Sequence, residues 1–218
     1  MASTRTQPTT GIFLVLEGIE GSGKTTQFGL LREWLASRGL DVTWAREPGG
    51  TAVGEAARQA LLHSGEVPVR AELMLMLASR AALMEQVVEP ALARGGIVLL
   101  DRFELSSFAY QAYGRGLPLE AVKAANAAAT GGRRPDLTLV LDVPMAEGER
   151  RRAAAGKGHD RIEAAGREFH ARVARGYVEL ARNEHGVVLV DGTGSVDDVQ
   201  HRLRDELRRR FPETIGSA

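Results

Sequence analysis

The chain has 218 residues, with 28 basic and 28 acidic side chains and a formal net charge of zero. That length suits one α/β domain, and 44% hydrophobic with 26% charged residues excludes a disordered or fibrous chain. The charge balance argues against a general nucleic-acid or anionic-membrane binder, and the absence of cysteine excludes disulfides and thiolate chemistry, which suits a cytoplasmic setting.

Met1–Thr10 is polar and reads as a disordered lead-in, not a signal peptide, and no stretch approaches the ~18–20 apolar residues of a membrane span. A single domain is predicted over residues 11–213, with 214–218 as a tail. Ile12–Leu16 is a continuous apolar run ending at Gly18 and predicts a buried parallel strand. A helix is predicted from Lys24 to Ser37, stopped by Gly39, and a second strand over Val42–Ala45. Glu47-Pro48-Gly49-Gly50 is a loop. Helical patterns fill Gly54–His63 and Ala71–Arg94, the latter as one long apolar helix. Ile97–Leu100 is a third strand, followed by two helical stretches ending at Gly131-Gly132. Leu137–Leu141 is a fourth strand. Helix then returns, interrupted by the polar stretch Ala155–Asp160. Val187–Val190 is a fifth strand, and Val196–Arg210 closes as an amphipathic helix.

This alternation predicts an α/β fold with a five-stranded parallel sheet flanked by helices. Ligands of such sheets bind beyond the carboxyl ends of the strands, so the residues following each strand should meet in one crevice.

After the first strand stands Gly18-Ile19-Glu20-Gly21-Ser22-Gly23-Lys24-Thr25-Thr26, a G-x4-G-K-T pattern between strand and helix. Its glycines let successive backbone N–H groups cradle phosphate oxygens, and the helix N-terminus adds its dipole. Lys24 is expected to reach the β/γ-phosphates and the Thr25 hydroxyl to bind Mg²⁺. Lysine in the motif carries weight, because only three of the 28 basic residues are lysines. A dinucleotide site is excluded by the lack of G-x-G-x-x-G, and a GTP switch by the lack of N-K-x-D.

Three further segments follow: Arg46-Glu47-Pro48-Gly49-Gly50-Thr51 with Arg58 beyond it, Met76-Leu77-Ala78-Ser79-Arg80, and Asp101-Arg102-Phe103-Glu104-Leu105-Ser106-Ser107-Phe108-Ala109-Tyr110-Gln111. With the phosphate loop, and with Arg134-Pro135-Asp136-Leu137 and Asp160-Arg161-Ile162-Glu163, they resemble the thymidylate kinase family from about Phe13 to Arg210. The resemblance implies phosphorylation of dTMP to dTDP with ATP and Mg²⁺, in dTTP synthesis, by a homodimer. It implies that Glu47 and Pro48 shape the acceptor floor, that Glu20 faces the acceptor's sugar and phosphate end, that Arg58 and Arg102 bind the acceptor phosphate, and that Arg80 hydrogen-bonds a thymine carbonyl. Ser106, Ser107 and Gln111 would read the base edge, Tyr110 would press on the deoxyribose, and Asp101 would orient Mg²⁺. Met76 stands where the family usually has a stacking Phe.

Position 22 is Ser and not Arg, so the resemblance moves the catalytic cation into a lid at about residues 148–163. Arg150, Arg151, Arg152, Lys157 and Arg161 are available there. Lys157 falls at the usual lid-arginine position, Arg151 falls where an arginine covers adenine, and Arg152 is a further catalytic candidate. The alternatives are a kinase for another nucleoside monophosphate or deoxynucleoside, and a non-catalytic ATP-binding module.

Overall fold

The computed structural model describes residues 11–155, 161–162 and 165–216. The lead-in of residues 1–10, the lid positions Lys157 and Asp160, and Glu163 lie outside the described residues.

Five strands form one parallel sheet in the order β2-β3-β1-β4-β5: β1 Ile12–Gly18, β2 Val42–Arg46, β3 Ile97–Asp101, β4 Leu137–Asp142 and β5 Val187–Asp191. Leu14 of β1 is opposite Leu99 on one side and Leu137 on the other. Because strand side chains alternate, β1 serves two cores at once. Leu14 and Leu16 pack with α1 (Lys24–Ser37) and α9 (Val196–Arg210) through Leu31, Leu35, Leu203 and Leu207. Phe13 and Val15 face Leu83, Val88 and Phe103 on the other side. Residues buried on both faces explain why β1 reads as an unbroken apolar run. A third cluster joins α3 (Val69–Leu83) and α8 (Arg167–Asn183) around Leu77, Tyr110, Phe169 and Tyr177.

Between these stand α2 (Ala52–His63), α5 (Glu104–Ser107), α6 (Leu119–Thr130) and α7 (Met145–Ala155). Two predicted spans are corrected. The single helix over Ala71–Arg94 is instead α3, a π-helical turn over Met84–Val88, and α4 (Glu89–Ala93). Pro90 has no N–H to give the preceding turn, and Glu89 N–H reaches back to Met84, five residues away. The predicted tail begins too early, because Pro212–Ile215 forms α10 and Ile215 is fully buried in the first cluster.

Among the described residues no helix is long and apolar enough to cross a membrane.

Candidate active site

β1 lies between β3 and β4, while the chain leaves it for the far edge at β2. That reversal opens a crevice at the carboxyl edge of the sheet. A cavity of about 720 Å³ occupies it, lined from the loop after β1 and the start of α1, from the ends of β2 and β3 and the segment after β3, from α2 and α3, and from the residues around α7 and α9.

The phosphate loop forms its floor. Gly21 has φ +77°, and a Cβ there would come within 2.1 Å of the Gly148 carbonyl oxygen, so only glycine fits against α7. Gly23 precedes α1 in the left-handed region at φ 91°, offers no capping side chain, and is followed by no acidic residue in the first turn. The first N–H groups of α1 therefore have no side-chain acceptor and are suited to an anion. Thr25 and Thr26 are exposed there. Lys24 Nζ lies 3.1 Å from Asp101 Oδ1 at the end of β3. Burial and the neighbouring Arg102 charge hold the Lys24 pKa below the ordinary lysine value, against the pull of Asp101.

Arg102 follows Asp101 with φ 72°, a left-handed conformation uncommon for a residue with a side chain. Its guanidinium donates to Ser106 Oγ and Tyr177 OH, both at 3.1 Å, and to Glu20 Oε1 at 3.2 Å. Tyr110 OH donates to the same Glu20 oxygen at 2.5 Å. Burial would raise the Glu20 pKa, but the Arg102 charge and the Tyr110 hydrogen bond prevail and lower it. Burial pushes the Tyr110 hydroxyl up, so at neutral pH it remains a donor.

Beneath this group lies Glu17, a carboxylate in the middle of the buried sheet with no exposure. It accepts from Phe103 N (2.9 Å), Ser106 N (3.0 Å), Ser106 Oγ (2.7 Å) and Tyr177 OH (2.8 Å). Glu17 and Tyr177 are absent from the expected site, yet they set the positions of Arg102 and Ser106. A charged residue closing an apolar strand run was the signal for Glu17. Tyr177 carried none, because its neighbours come from three distant segments.

Opposite, Arg58 Nη1 donates to Pro48 O at 3.1 Å, and both residues line the cavity with Glu47 and Met76. The Glu47-Pro48 peptide is cis. At the other end Arg151 bridges Glu147 (2.6 Å), Ser22 O (3.4 Å) and Gly192 O (3.1 Å). Arg152 also lines the cavity, with its Nε buried and unbonded. Arg150 is mostly exposed and pairs with Glu147.

Four expected residues are not in the wall. Gly18 sits behind the loop, where a Cβ would meet Ser22 Oγ and Leu141 O. Arg80 is buried at 1% exposure, and Glu47, Ser107, Asn126 and the Phe103 carbonyl take its donors at 2.7–3.0 Å. Its hydrogen bonds hold Glu47 and Ser107 in place, and its side chain is not among those that line the cavity. Ser107 is thereby turned inward as well. Gln111 is fully buried and donates to Glu72 Oε1 at 2.9 Å, away from the cavity. The lid candidate Arg161 donates to Leu61 O (2.9 Å) and Glu72 Oε2 (2.7 Å) and is not among the residues that line the cavity.

The thymidylate kinase family model matches residues 16–203. The chain is 49% identical to a thymidylate kinase of Desulforudis audaxviator, over 83% of this chain and 82% of that one. It is 41% identical to one of Trichodesmium erythraeum, over 93% and 97%. The crystal structure of thymidylate kinase from Ehrlichia chaffeensis superposes with a TM-score of 0.73 at 29% identity, over 91% of this chain and 99% of that one.

Proposed function

The chain belongs to the thymidylate kinase family, and on that premise we propose that it transfers the γ-phosphoryl group of ATP to dTMP, giving ADP and dTDP for dTTP synthesis. The observation that carries the reading is a single cavity in which Lys24 of the phosphate loop and Arg102 at the end of β3 stand on either side of Asp101. A donor and an acceptor phosphate each meet a cation there.

In the transfer, an oxygen of the dTMP phosphate bonds to the γ-phosphorus as the bond to the β,γ-bridging oxygen breaks. Such a reaction needs alignment, charge neutralisation and exclusion of water more than covalent help. Lys24 and the loop N–H groups hold the donor phosphates, with Arg151 and Arg152 reaching the same end. Arg102 and Arg58 hold the acceptor phosphate in line; arginine's planar fork suits a phosphate. Arg102 is pre-aimed by Glu20, Ser106 and Tyr177, so little reorganisation accompanies the reaction. Tyr110, fixed by Glu20, lies against the deoxyribose and leaves no space for a 2′-hydroxyl. Met76 takes the base face, where its polarizable thioether favours an aromatic ring.

The Thr25 hydroxyl and the Asp101 carboxylate are hard oxygen donors that fit Mg²⁺. Among the described residues no cluster of three or more His, Cys, Asp or Glu could hold a metal, which suits an ion bound chiefly by nucleotide phosphates. Bound there, Mg²⁺ would neutralise charge on the β- and γ-phosphate oxygens.

We extend the reading to a cytoplasmic homodimer. It is supported by Val53 on α2 and Met74 on α3, apolar side chains 48% and 57% exposed on two helices that pack together.

ADP release with ATP and Mg²⁺ over dTMP, dUMP, UMP, dCMP, AMP, GMP and thymidine tests the activity. Fast turnover with dTMP, slower with dUMP and none with UMP is expected. Turnover on another monophosphate alone would overturn the base assignment. ATP binding without turnover on any acceptor would overturn the kinase reading.

A further inference from the structure

Glu72 on α3 is 1% exposed, yet it gathers four hydrogen bonds: Gln111 Nε2 at 2.9 Å, Arg115 at 3.3 and 3.2 Å, and Arg161 Nη2 at 2.7 Å. Burial alone would raise its pKa, but these donors hold it below the ordinary carboxylate value. Arg161 does two things at once. Its Nη2 meets Glu72, and its Nε donates to the Leu61 carbonyl in the last turn of α2, one of the helix-end carbonyls without an intrahelical partner. One side chain thus ties the Arg161–Ile162 segment to both α2 and α3.

The next residue shows what that tie places. Ile162 is 7% exposed and belongs to the cluster of Leu77, Tyr110 and Leu62, and it lines the cavity beside Leu62 and Met76. It stands at the Met76–Tyr110 end, whereas Gly192 and Val196 mark the Arg151 end.

We propose that Ile162 is a specificity-determining residue forming an apolar side wall of the acceptor pocket, and that the Arg161–Glu72 clasp is the positioning pair that seats it. The proposal rests on the kinase reading, since it assigns this end of the cavity to the acceptor. An aliphatic wall on one face and Met76 on another make the base site a slot of adaptable side chains. Arg161 is the partner to remove, because Glu72 keeps Arg115 and Gln111 and is not left as an unpaired buried charge.

The test measures steady-state constants and melting temperature for wild type, Arg161→Ala, Arg161→Lys, Ile162→Ala and the Arg161→Ala/Ile162→Ala double variant, with dTMP binding by calorimetry. Arg161→Ala and Ile162→Ala should each raise the dTMP KM about tenfold while leaving the ATP KM and kcat near wild type. Arg161 acts through Ile162, so the double variant should be no worse than the weaker single variant. Arg161→Lys, able to meet Glu72 but not the Leu61 carbonyl as well, should fall between wild type and Arg161→Ala. Additive effects in the double variant, or a change in ATP KM or kcat in place of dTMP KM, would overturn the proposal. A wild-type protein that neither binds nor phosphorylates any monophosphate would remove the kinase reading and this proposal together. Additive effects in an active wild type would remove the proposal alone.

Discussion

Arg80 and Arg102 carry the same functional group and end in opposite circumstances. Arg102 is held at a left-handed φ and lines the cavity. Such a backbone conformation costs about 1–3 kcal/mol and persists only where its surroundings enforce it, here Glu17, Glu20 and Ser106. Arg80 is sealed against Glu47, and burial of that carboxylate outweighs the arginine's pull and raises its pKa from 4.5 to about 7. The linkage has a definite sign. Between pH 4.5 and about 7 the folded chain keeps a proton on Glu47 that the unfolded chain releases. This group's stabilising contribution is therefore complete below pH 4.5 and is lost as pH rises through 7. Glu47→Gln removes the titration. Denaturant unfolding from pH 5 to pH 8 should show wild type losing stability relative to Glu47→Gln as pH rises, and a constant difference would refute the assignment.

At the scale of the element, the π-helical turn over Phe108–Gly114 decides which side chains reach the cavity. Arg115 N–H bonds Tyr110 O at 2.9 Å, five residues back, so the turn is wider than an α-helical one. Tyr110 points to Glu20 and the cavity, while its neighbour Gln111 points to Glu72 and the interior. Gly114 and Gly176 let this turn lie directly on α8, since a Cβ at Gly176 would come within 2.7 Å of the Tyr113 ring. At the start of α9, Ser195 and Asp198 form a reciprocal capping box, with Ser195 Oγ accepting from Asp198 N at 3.1 Å and Asp198 Oδ2 accepting from Ser195 N at 2.9 Å. Ser195→Ala should lower stability by about 1 kcal/mol and the melting temperature by about 2–4 °C, read by calorimetry. An unchanged melting temperature would mean that Asp198 alone sustains the helix start.

Across the whole molecule, the two cores on either side of β1 make the sheet a rigid plane from which the loops project. The crevice exists because β1 lies between β3 and β4. Its two ends belong to different layers: α2, α3 and the π-helical turn line one end, which the proposed function gives to the acceptor, and α7 with the β5–α9 connection lines the other. Assembly belongs to this scale too. The exposed Val53 and Met74 lead us to expect twice the chain mass by light scattering at micromolar concentration. Met74→Glu should shift the protein toward monomer, because a charge on an apolar contact loses its hydration. A wild-type mass equal to one chain would refute the dimer.

The amino-acid sequence was sufficient for the parallel α/β fold, the span of α1 and α9, the phosphate loop and the family, because these rest on local patterns: apolar runs, a glycine spacing and capping residues. Lys24, Arg102 and Tyr110 were legible for the same reason, each lying in a motif at the end of a strand or just beyond it. The true partners of Arg80, the inward turn of Gln111, the hub at Glu17 and the clasp of Arg161 on Glu72 were not. Each joins side chains 27 or more residues apart or depends on a helix widening by one residue, and local pattern carries neither. Which of an arginine's donors remain for a ligand depends on where every competing acceptor has been brought, and only the folded chain brings them there.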